Sequence, residues 1–178
     1  AGVELIVSTG AVSMGRYDFI PDALRALGAD ILFHKVAMRP GKPLLFARLP
    51  GGALYFGLPG NPVSSAVGMR FFVEPAIRAL LGVPPERPVR APLAESVDKK
   101  PGFCMLQKTR LQCDDQGRLS AALMKGQESF RIRPLLQSNA WAVLPEQDAS
   151  LPAGTVVELY GLSGSGIVLN ACEVAHAS

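Results

Sequence analysis

The segment from Phe33 to Pro62 most constrains what this chain of 178 residues can fold into. Within it, two apolar runs, Pro43 to Ala47 and Ala53 to Leu58, flank the turn sequence Pro50-Gly51-Gly52. Short apolar runs that are joined by a glycine-containing turn are typical of a β-hairpin. The second run ends in Gly57-Leu58-Pro59-Gly60-Asn61-Pro62, where a helical pattern begins. The segment therefore predicts two paired strands that lead directly into a helix.

Three cationic side chains precede this hairpin on a loop that proline and glycine make rigid. Lys35, Arg39 and Lys42 lie close together in the sequence, and Pro40 and Gly41 stand between the last two. A helix N-terminus offers unpaired N–H donors and the positive end of the helix dipole. Because cations and backbone donors occur in one segment, it predicts a site for an oxyanion or a phosphorylated ligand.

The chain opens with an apolar strand, Val3 to Val7, which leads into a loop of small residues, Ser8 to Gly15. Such a loop lets backbone approach a ligand closely, but an ordinary strand-to-helix connection has the same composition. Strands of this buried kind rarely stand first in a chain, and the sequence has no initiator methionine. We therefore expect the chain to be a fragment of a longer protein.

Asp18 stands just before a short predicted helix and has two candidate roles. Apolar residues recur at helical spacing over 20–27, with Pro21 in the first turn and Gly28 as the C-cap. Aspartate is a common N-cap. The carboxyl end of a strand is also where open α/β sheets place their chemistry. From these residues alone both roles stay open.

The other elements of the first half follow from similar signals. Asp30 to Ala37 is predicted as a strand. The pair Asn61-Pro62 suits the N-cap and first position of a helix that runs to about Leu81 and is apolar on most faces. Pro75 is expected to kink this helix, and Gly82 is expected to end it.

A proline-rich run, Val83 to Pro88, marks the predicted domain boundary. Beyond it, short apolar segments alternate with turn sequences, which favours a small barrel or sandwich. We predict a three-layer α/β domain with a mostly parallel sheet, incomplete at its N-terminus, over residues 1–86. A small all-β, barrel-like domain is predicted over 87–162, and the tail 163–178 receives no structural assignment.

The second domain shows several strand patterns and one ambiguous segment. Asp114 to Gly117 is a turn sequence, and Ser129 to Ser138 is ambiguous, with a helical turn at Leu135 and Leu136. The predicted strands are Phe103 to Cys113, Arg118 to Met124, Trp141 to Leu144 and Thr155 to Tyr160.

Composition disfavours several classes of function. The net charge is +3, basic residues are scattered and 7% of residues are aromatic, which argues against a nucleic-acid binder. No apolar run approaches the ~18–20 residues of a membrane-spanning helix. Cys104, Cys113 and Cys172 lack the spacing of a zinc site, even together with His34 and His176. A reducing cytoplasm is the expected location.

Three motifs resemble those of the molybdopterin molybdenumtransferases, a family whose animal relative is gephyrin. They are T-G-A-V-S-M-G-R-Y-D-F at 9–19, H-K-V-A-M-R-P-G-K-P at 34–43 and G-L-P-G-N-P-V-S at 57–64. They occur in the family's order and spacing, and the resemblance runs from about Val3 to Tyr160. Full-length members are longer, so the resemblance implies a C-terminal fragment that is inactive alone.

The resemblance also implies an activity and partners. Members take adenylylated molybdopterin and molybdate, insert the metal into the dithiolene and release AMP, with Mg²⁺ assisting. Molybdate is a dianion that needs convergent cations, and a pyrophosphate linkage needs backbone donors. We expect a homodimer for the full-length protein and contact with the molybdopterin adenylyltransferase, and neither nucleic-acid nor membrane partners.

By position, the resemblance assigns residues of this chain to a site. Asp18 matches a family aspartate that activity requires, both as the catalytic residue and as a ligand of the metal ion. The implied molybdate-binding residues are Lys35, Arg39, Lys42, Lys108 and Ser129. The implied substrate-binding residues are Gly10, Ser13, Pro59, Gly60, Asn61, Pro62 and Ser64. For Lys108 and Ser129, an ordinary solvated strand face and a turn serine are the alternative.

The sequence departs from the family pattern at several positions, and two rival functions remain as alternatives. Lys108 stands where arginine is usual, and Glu128 replaces a glycine beside Ser129. One rival is the adenylyltransferase that prepares the substrate, which shares the small-residue loop but lacks the β domain. The other rival is a non-catalytic scaffold of the gephyrin kind.

Overall fold

A computed structural model describes residues 2–12 and 19–169 of the chain. The predicted site residues Ser13 and Asp18 lie outside the described residues, as does Cys172. Among the described residues, no helix is long and apolar enough to cross a membrane.

The chain divides into two compact units, each described by itself. The first unit is Ala1–Pro85 with Glu128–Phe130, and the second unit is Glu86–Gln127 with Arg131–Ser178. The short segment Glu128–Phe130 thus groups with the first unit, although it falls within the β domain that the sequence predicts over 87–162. The domain division drawn from the sequence stays a prediction.

The first unit contains a four-stranded sheet in the order β1-β5-β4-β2. Its elements are β1 (Leu5–Thr9), α1 (Ile20–Ala26), β2 (Asp30–His34), β3 (Met38–Arg39), β4 (Leu45–Arg48), β5 (Leu54–Leu58), α2 (Pro62–Gly68), a π-helical segment (Met69–Val73) and α3 (Glu74–Leu80). β1 and β5 are parallel, whereas β4 is antiparallel to both of its neighbours. The α/β class is confirmed, and the helix predicted over 20–27 is present.

The predicted hairpin is confirmed, and it overturns one part of the sheet prediction. The N–H of Leu49 donates to the carbonyl O of Ala53 at 2.9 Å, which closes the turn between β4 and β5. Strands joined by so short a turn can pair only in antiparallel fashion. The prediction of a mostly parallel sheet is therefore wrong for the described residues, in which one pairing of three is parallel.

Helices cover both faces of this sheet, so the three-layer prediction is confirmed. Leu24 of α1 packs in a core with Leu45 and Ala47 of β4. On the opposite face, Phe46 of β4 packs in a second core with Val73, from the long helical stretch. Because successive side chains of a strand point to opposite faces, this alternation places α1 and the long helix in separate layers.

The long helix predicted after Asn61 is present as α2, the π-helical segment and α3. Pro75 has no N–H to donate to the carbonyl group of Phe71 four residues earlier, and its ring crowds that carbonyl. The π-helical segment directly before α3 has a wider turn, which leaves room for the proline ring. Proline and π-bulges are both common where a helix departs from regular α-helical geometry. Gly82 ends the helix as predicted: its φ is 68°, and its N–H donates to Ala79 O at 3.1 Å.

The second unit is built on an antiparallel sheet in the order β6-β12-β10-β8-β9. Its elements are β6 (Val89–Pro92), β7 (Val97–Asp98), β8 (Cys104–Cys113), β9 (Leu119–Leu123), α4 (Arg133–Leu136), β10 (Ala140–Leu144), β11 (Ser150–Leu151) and β12 (Val156–Gly161). β7 pairs with β11. The sequence did not predict β6, β7 or β11, because strands of two to four residues are too short to show a period.

The ends of this sheet approach each other beside β6. Leu93 and Ala121 form a β-bridge, and the N–H of Ala94 donates to the carbonyl O of Ala121 at 2.9 Å. In the described part of the second unit, this is a single bridge rather than a continuous ladder. The all-β prediction holds apart from the short α4. The barrel-like prediction is supported only in part, because the sheet curves until its ends meet at one bridge and does not close into a continuous barrel in the described residues.

Candidate functional site

The loop after β1 crosses the carboxyl edge of the first unit's sheet and is held at two points. The N–H of Gly10 donates to the carbonyl O of Leu58 at 2.9 Å, and Leu58 ends β5. Two residues further along the loop, His34 Nε2 donates to the carbonyl O of Val12 at 2.8 Å. Residues of two different strands thus hold residues 10–12, at the start of the first predicted motif.

The second motif forms a tight loop, Lys35–Pro43, which we call the cation loop. The N–H of Lys35 donates to Leu44 O at 2.8 Å, and the N–H of Val36 donates to Lys42 O at 2.9 Å. Lys35 has a φ of 78°, in the left-handed region that costs an L-residue about 1 kcal/mol. The three predicted cations have exposed side chains: Lys35, Arg39 and Lys42.

Gly41 lets the cation loop approach α2 closely. A Cβ atom at this position would lie 2.7 Å from Met38 Cε and 3.8 Å from the carbonyl O of Ser64. Its φ of 109° also favours glycine over any other residue. The predicted substrate residue Ser64 is 4% exposed, so its side chain is enclosed at the start of the helix. The cation loop therefore lies against the first turn of α2, within the first unit.

The start of α2 differs in one respect from the prediction. Asn61 is the N-cap, but its side chain makes no capping bond; Asn61 Nδ2 donates to Ser129 Oγ at 3.1 Å. The N–H of Val63 donates to Ser129 O at 3.2 Å, and Ser65 Oγ donates to the carbonyl O of Pro59. One donor that we expected to be unpaired at the helix start is thus satisfied by Ser129. Two predicted site residues far apart in sequence, Asn61 and Ser129, meet here.

A cavity of about 220 Å³ lies among these loops in the first unit. It is lined by residues of all three motifs: Ala11, Val12, Pro43, Pro59, Gly60 and Asn61. Their polar groups are backbone N–H and C=O and one side-chain amide. A surface of this kind suits a ligand that is recognised through backbone hydrogen bonds.

Lys108 lies in the second unit and is completely buried, with 0% of its surface exposed. Lys108 Nζ donates to the carbonyl O of Gly126 at 2.7 Å and to that of Arg131 at 3.1 Å. The side chain of Gln127 bonds to both the N–H and the C=O of Lys108, at 2.9 and 2.8 Å. The solvated-face alternative for Lys108 is therefore wrong, because β8 is buried on both faces over 106–109. Its molybdate-binding role stays a prediction.

The described residues do not by themselves fit a magnesium site. Among residues 2–12 and 19–169, no group of three or more His, Cys, Asp or Glu side chains is placed to hold a metal ion. The cavity lining includes no carboxylate among its described residues. Mg²⁺ is usually bound through one or two carboxylates together with substrate phosphates. The predicted ligand, Asp18, lies outside the described residues, and its role stays a prediction.

Sequence reasoning missed His34 and Gln127. His34 was weighed as a zinc ligand and opens the second motif, but it received no site role, yet its ring is hydrogen-bonded to Val12 of the first motif. Gln127 received no role, yet its side-chain amide is hydrogen-bonded to both the N–H and the C=O of Lys108. For His34 a signal was present, since it immediately precedes Lys35 on a predicted strand that leads into the cation loop, and functional side chains gather where such strands end.

Two family descriptions match the chain in tandem. Residues 1–79 match the family described as a probable molybdopterin binding domain. Residues 90–162 match the MoeA C-terminal region, domain IV.

Two curated relatives carry the same name. The molybdopterin molybdenumtransferase of Synechococcus elongatus is 43% identical over 162 residues, covering 90% of this chain and 39% of that protein. The protein of that name from Bacillus subtilis is 33% identical over 159 residues, covering 88% of this chain and 36% of that protein. The chain therefore spans just under two fifths of the length of these curated relatives.

Solved structures agree with the fold. A molybdenum cofactor biosynthesis protein from Pyrococcus furiosus matches 87% of this chain and 46% of its own, with a TM-score of 0.59 and 26% identity. A molybdopterin biosynthesis MoeA protein from Pyrococcus horikoshii matches 90% of this chain and 38% of its own, with a TM-score of 0.70 and 24% identity. The second likeness concerns the fold alone. With two matching domains and relatives of one name, the chain belongs to the molybdopterin molybdenumtransferase family.

Proposed function

We propose that this chain supplies the molybdopterin-binding and oxyanion-binding part of an enzyme of molybdenum cofactor biosynthesis. The enzyme would insert molybdate into adenylylated molybdopterin and release AMP. One observation carries the proposal: all three motifs line a single cavity of about 220 Å³ in the first unit. Sequence spacing alone does not require motifs from three separate loops to meet.

The cation loop is the proposed source of charge neutralisation. Molybdate is a dianion, and hydrogen bonds from ammonium or guanidinium groups to oxyanions are about twice as strong as neutral ones. Lys35, Arg39 and Lys42 present exposed side chains from this loop. Pro43, which ends the loop, also lines the cavity. We infer that the oxyanion binds beside the cavity and that Gly10, Ser13, Pro59, Gly60, Asn61, Pro62 and Ser64 bind the organic substrate.

Asp18 is the proposed catalytic residue. If Mg²⁺ is bound, Asp18 is the residue that we expect to hold it, and the ion would neutralise charge on the phosphates of the substrate. The described residues alone do not fit this ion. Lys108 and Ser129 are the remaining proposed molybdate ligands. Ser129 Oγ already accepts a hydrogen bond from Asn61, and as a hydroxyl group it keeps a donor for an anion.

Asp18→Asn in the full-length protein tests the catalytic role. We expect molybdate-dependent release of AMP to fall by about 10²-fold or more, a usual effect of removing a catalytic acid or base. Asp22→Asn is the matched control, since Asp22 is an exposed residue of α1 that pairs with Arg25. Unchanged turnover in Asp18→Asn would remove the role given to Asp18. A wild-type protein that releases no AMP would contradict the proposed function itself.

The domain content favours this function over the adenylyltransferase rival. The rival lacks a β domain, whereas residues 90–162 of this chain match domain IV of MoeA. A homodimer, a cytoplasmic location and contact with the adenylyltransferase belong to the same proposal. The scaffold alternative would be supported if binding of molybdopterin persisted without any release of AMP.

A further inference from the structure

His34 lies at the end of β2, and Val12 follows β1, two strands that are not neighbours. The sheet order is β1-β5-β4-β2, so two strands separate them. β1 and β5 are parallel, and β2 shares their direction because β4 is antiparallel to both β5 and β2. The carboxyl ends of β1, β5 and β2 therefore meet at one edge. The loop after β1 runs along this edge until His34 Nε2 bonds to the Val12 carbonyl at 2.8 Å.

The hydrogen bond has a defined direction. A backbone carbonyl oxygen can only accept, so His34 must donate the proton on Nε2. A neutral histidine can carry its proton on either ring nitrogen, and the bond that each nitrogen makes selects the tautomer. This contact therefore requires the tautomer with the proton on Nε2.

The Val12 side chain supplies the second part of the anchor. Val12 is 0% exposed, and a Cβ atom at Gly57 would lie 2.6 Å from Val12 Cγ1. The glycine of the third motif thus makes room for the valine of the first motif. With its side chain enclosed and its carbonyl bonded to His34, Val12 is fixed in both position and orientation. Val12 is also part of the cavity lining.

We propose that His34 is a positioning residue for the ligand cavity, acting through the carbonyl of Val12 to hold residues 10–12 of the first motif at the sheet edge. His34 itself is not among the described lining residues of the cavity. Its effect on a ligand is therefore indirect and passes through the loop Gly10–Val12. The proposal rests on the proposed function in one respect, that molybdopterin is the ligand of this cavity.

Two substitutions separate the hydrogen bond from the bulk of the side chain. His34→Gln keeps a donor, because the amide nitrogen of glutamine is as many bonds from Cα as His34 Nε2. His34→Phe keeps a ring of similar shape and removes the donor. We expect the dissociation constant for molybdopterin in the full-length protein to rise about tenfold in His34→Phe, equal to about 1.4 kcal/mol. In His34→Gln we expect less than a threefold change.

Asp30→Asn is the matched control on the same strand, since it weakens an exposed ion pair with Arg48 far from this edge. It should leave molybdopterin affinity unchanged. Equal affinity in His34→Phe and the wild type would overturn the proposal, and so would a His34→Gln variant as weak as His34→Phe. Thermal unfolding of each variant identifies any loss of affinity that comes from a damaged fold.

A measurement on the wild type keeps the proposal testable even if His34→Phe does not fold. Nitrogen-15 chemical shifts of the His34 ring distinguish the two neutral tautomers. A proton on Nε2 would support the anchor, and a proton on Nδ1 would overturn it. If the wild type fails to bind molybdopterin, the proposed function is wrong, and the anchor is then decided by these shifts alone.

Discussion

Two lysines that the family resemblance assigns to the same oxyanion lie in opposite surroundings. Lys35, in the first unit, is exposed, and its backbone adopts a left-handed φ of 78°. Lys108, in the second unit, is completely buried, and its Nζ donates to the carbonyls of Gly126 and Arg131. An exposed ammonium can reach a ligand, and backbone strain is common at such sites. A buried ammonium must be paired inside the protein. Sequence position alone does not distinguish these two situations.

The largest effect that we expect from this comparison is on stability, in Lys108→Met. Methionine fills a similar volume but leaves the carbonyls of Gly126 and Arg131 without their donor. A buried polar group that loses its partner lowers the free energy of unfolding by about 1–3 kcal/mol. Part of this loss is offset, because the substitution also removes a buried charge, which is itself unfavourable. We expect the free energy of unfolding to fall by about 2 kcal/mol, measured by urea denaturation.

Lys108→Arg is the matched variant, because it keeps the charge and the donors. It should lose less stability than Lys108→Met, although the larger side chain must fit a fully buried site. If Lys108→Met unfolds at the same urea concentration as the wild type, the hydrogen bonds of Lys108 Nζ do not stabilise the second unit, and the comparison fails.

Lys35→Gly should show the reverse pattern, a loss of anion affinity with little loss of stability. Glycine relieves the left-handed backbone, but it also gains freedom in the unfolded chain, and the two effects nearly offset. We expect the free energy of unfolding to change by less than about 1 kcal/mol. The affinity for molybdate, measured by titration calorimetry of the full-length protein, should fall about tenfold.

Lys100→Met, which alters an exposed lysine of the second unit, is the control for loss of charge alone. Molybdate affinity equal to that of the wild type in Lys35→Gly would remove Lys35 from the proposed site. A loss of stability comparable with that of Lys108→Met would instead indicate that both lysines are structural.

Gly41→Ala tests whether the close approach of the cation loop to α2 matters. The left-handed φ costs about 1–2 kcal/mol, and the new methyl group also meets Met38 Cε. Gly102→Ala is the matched control, because Gly102 has a φ of 85° and nothing within 4 Å of an added Cβ. Gly102→Ala should lose about 1–2 kcal/mol of stability and Gly41→Ala at least as much, but only Gly41→Ala should also weaken molybdate binding. Equal molybdate affinity in the two variants would contradict this.

The smallest effect expected is a pH dependence confined to a turn of the second unit. Hydrogen bonds from the backbone N–H and the side chain of Arg118 hold the pKa of Asp114 below its usual value. A lowered folded-state pKa stabilises the fold above the unfolded-state pKa, and this contribution is lost as the pH falls through the folded-state pKa. The stability difference between wild type and Asp114→Asn should therefore shrink below about pH 4. Molybdate affinity at neutral pH should be the same in both, and a difference would show that this turn is coupled to the first unit.

The hairpin, the helix ends and the motif positions were predictable from local signals. Glycine at 28 and at 82 ended helices as expected, because a left-handed residue after a helix strongly favours glycine. The mostly parallel sheet was predicted wrongly, because the rule for buried α/β sheets was applied to a segment whose own turn required antiparallel pairing. The hydrogen bonds of Ser129 to Asn61 and Val63 lay beyond local signals, since they join residues distant in the chain.

By itself, the sequence determined the α/β class, the family and the three loops from which a site is built. Those depend on glycine, proline and apolar spacing, whose effects extend over a few residues. Only the tertiary structure decided what each charge and donor contacts. It placed the buried Lys108 against the carbonyls of Gly126 and Arg131, bound His34 to Val12 and brought residues of three motifs to one cavity. Burial and hydrogen-bond partners are set by residues far apart in the chain, and spacing along a sequence does not encode them directly.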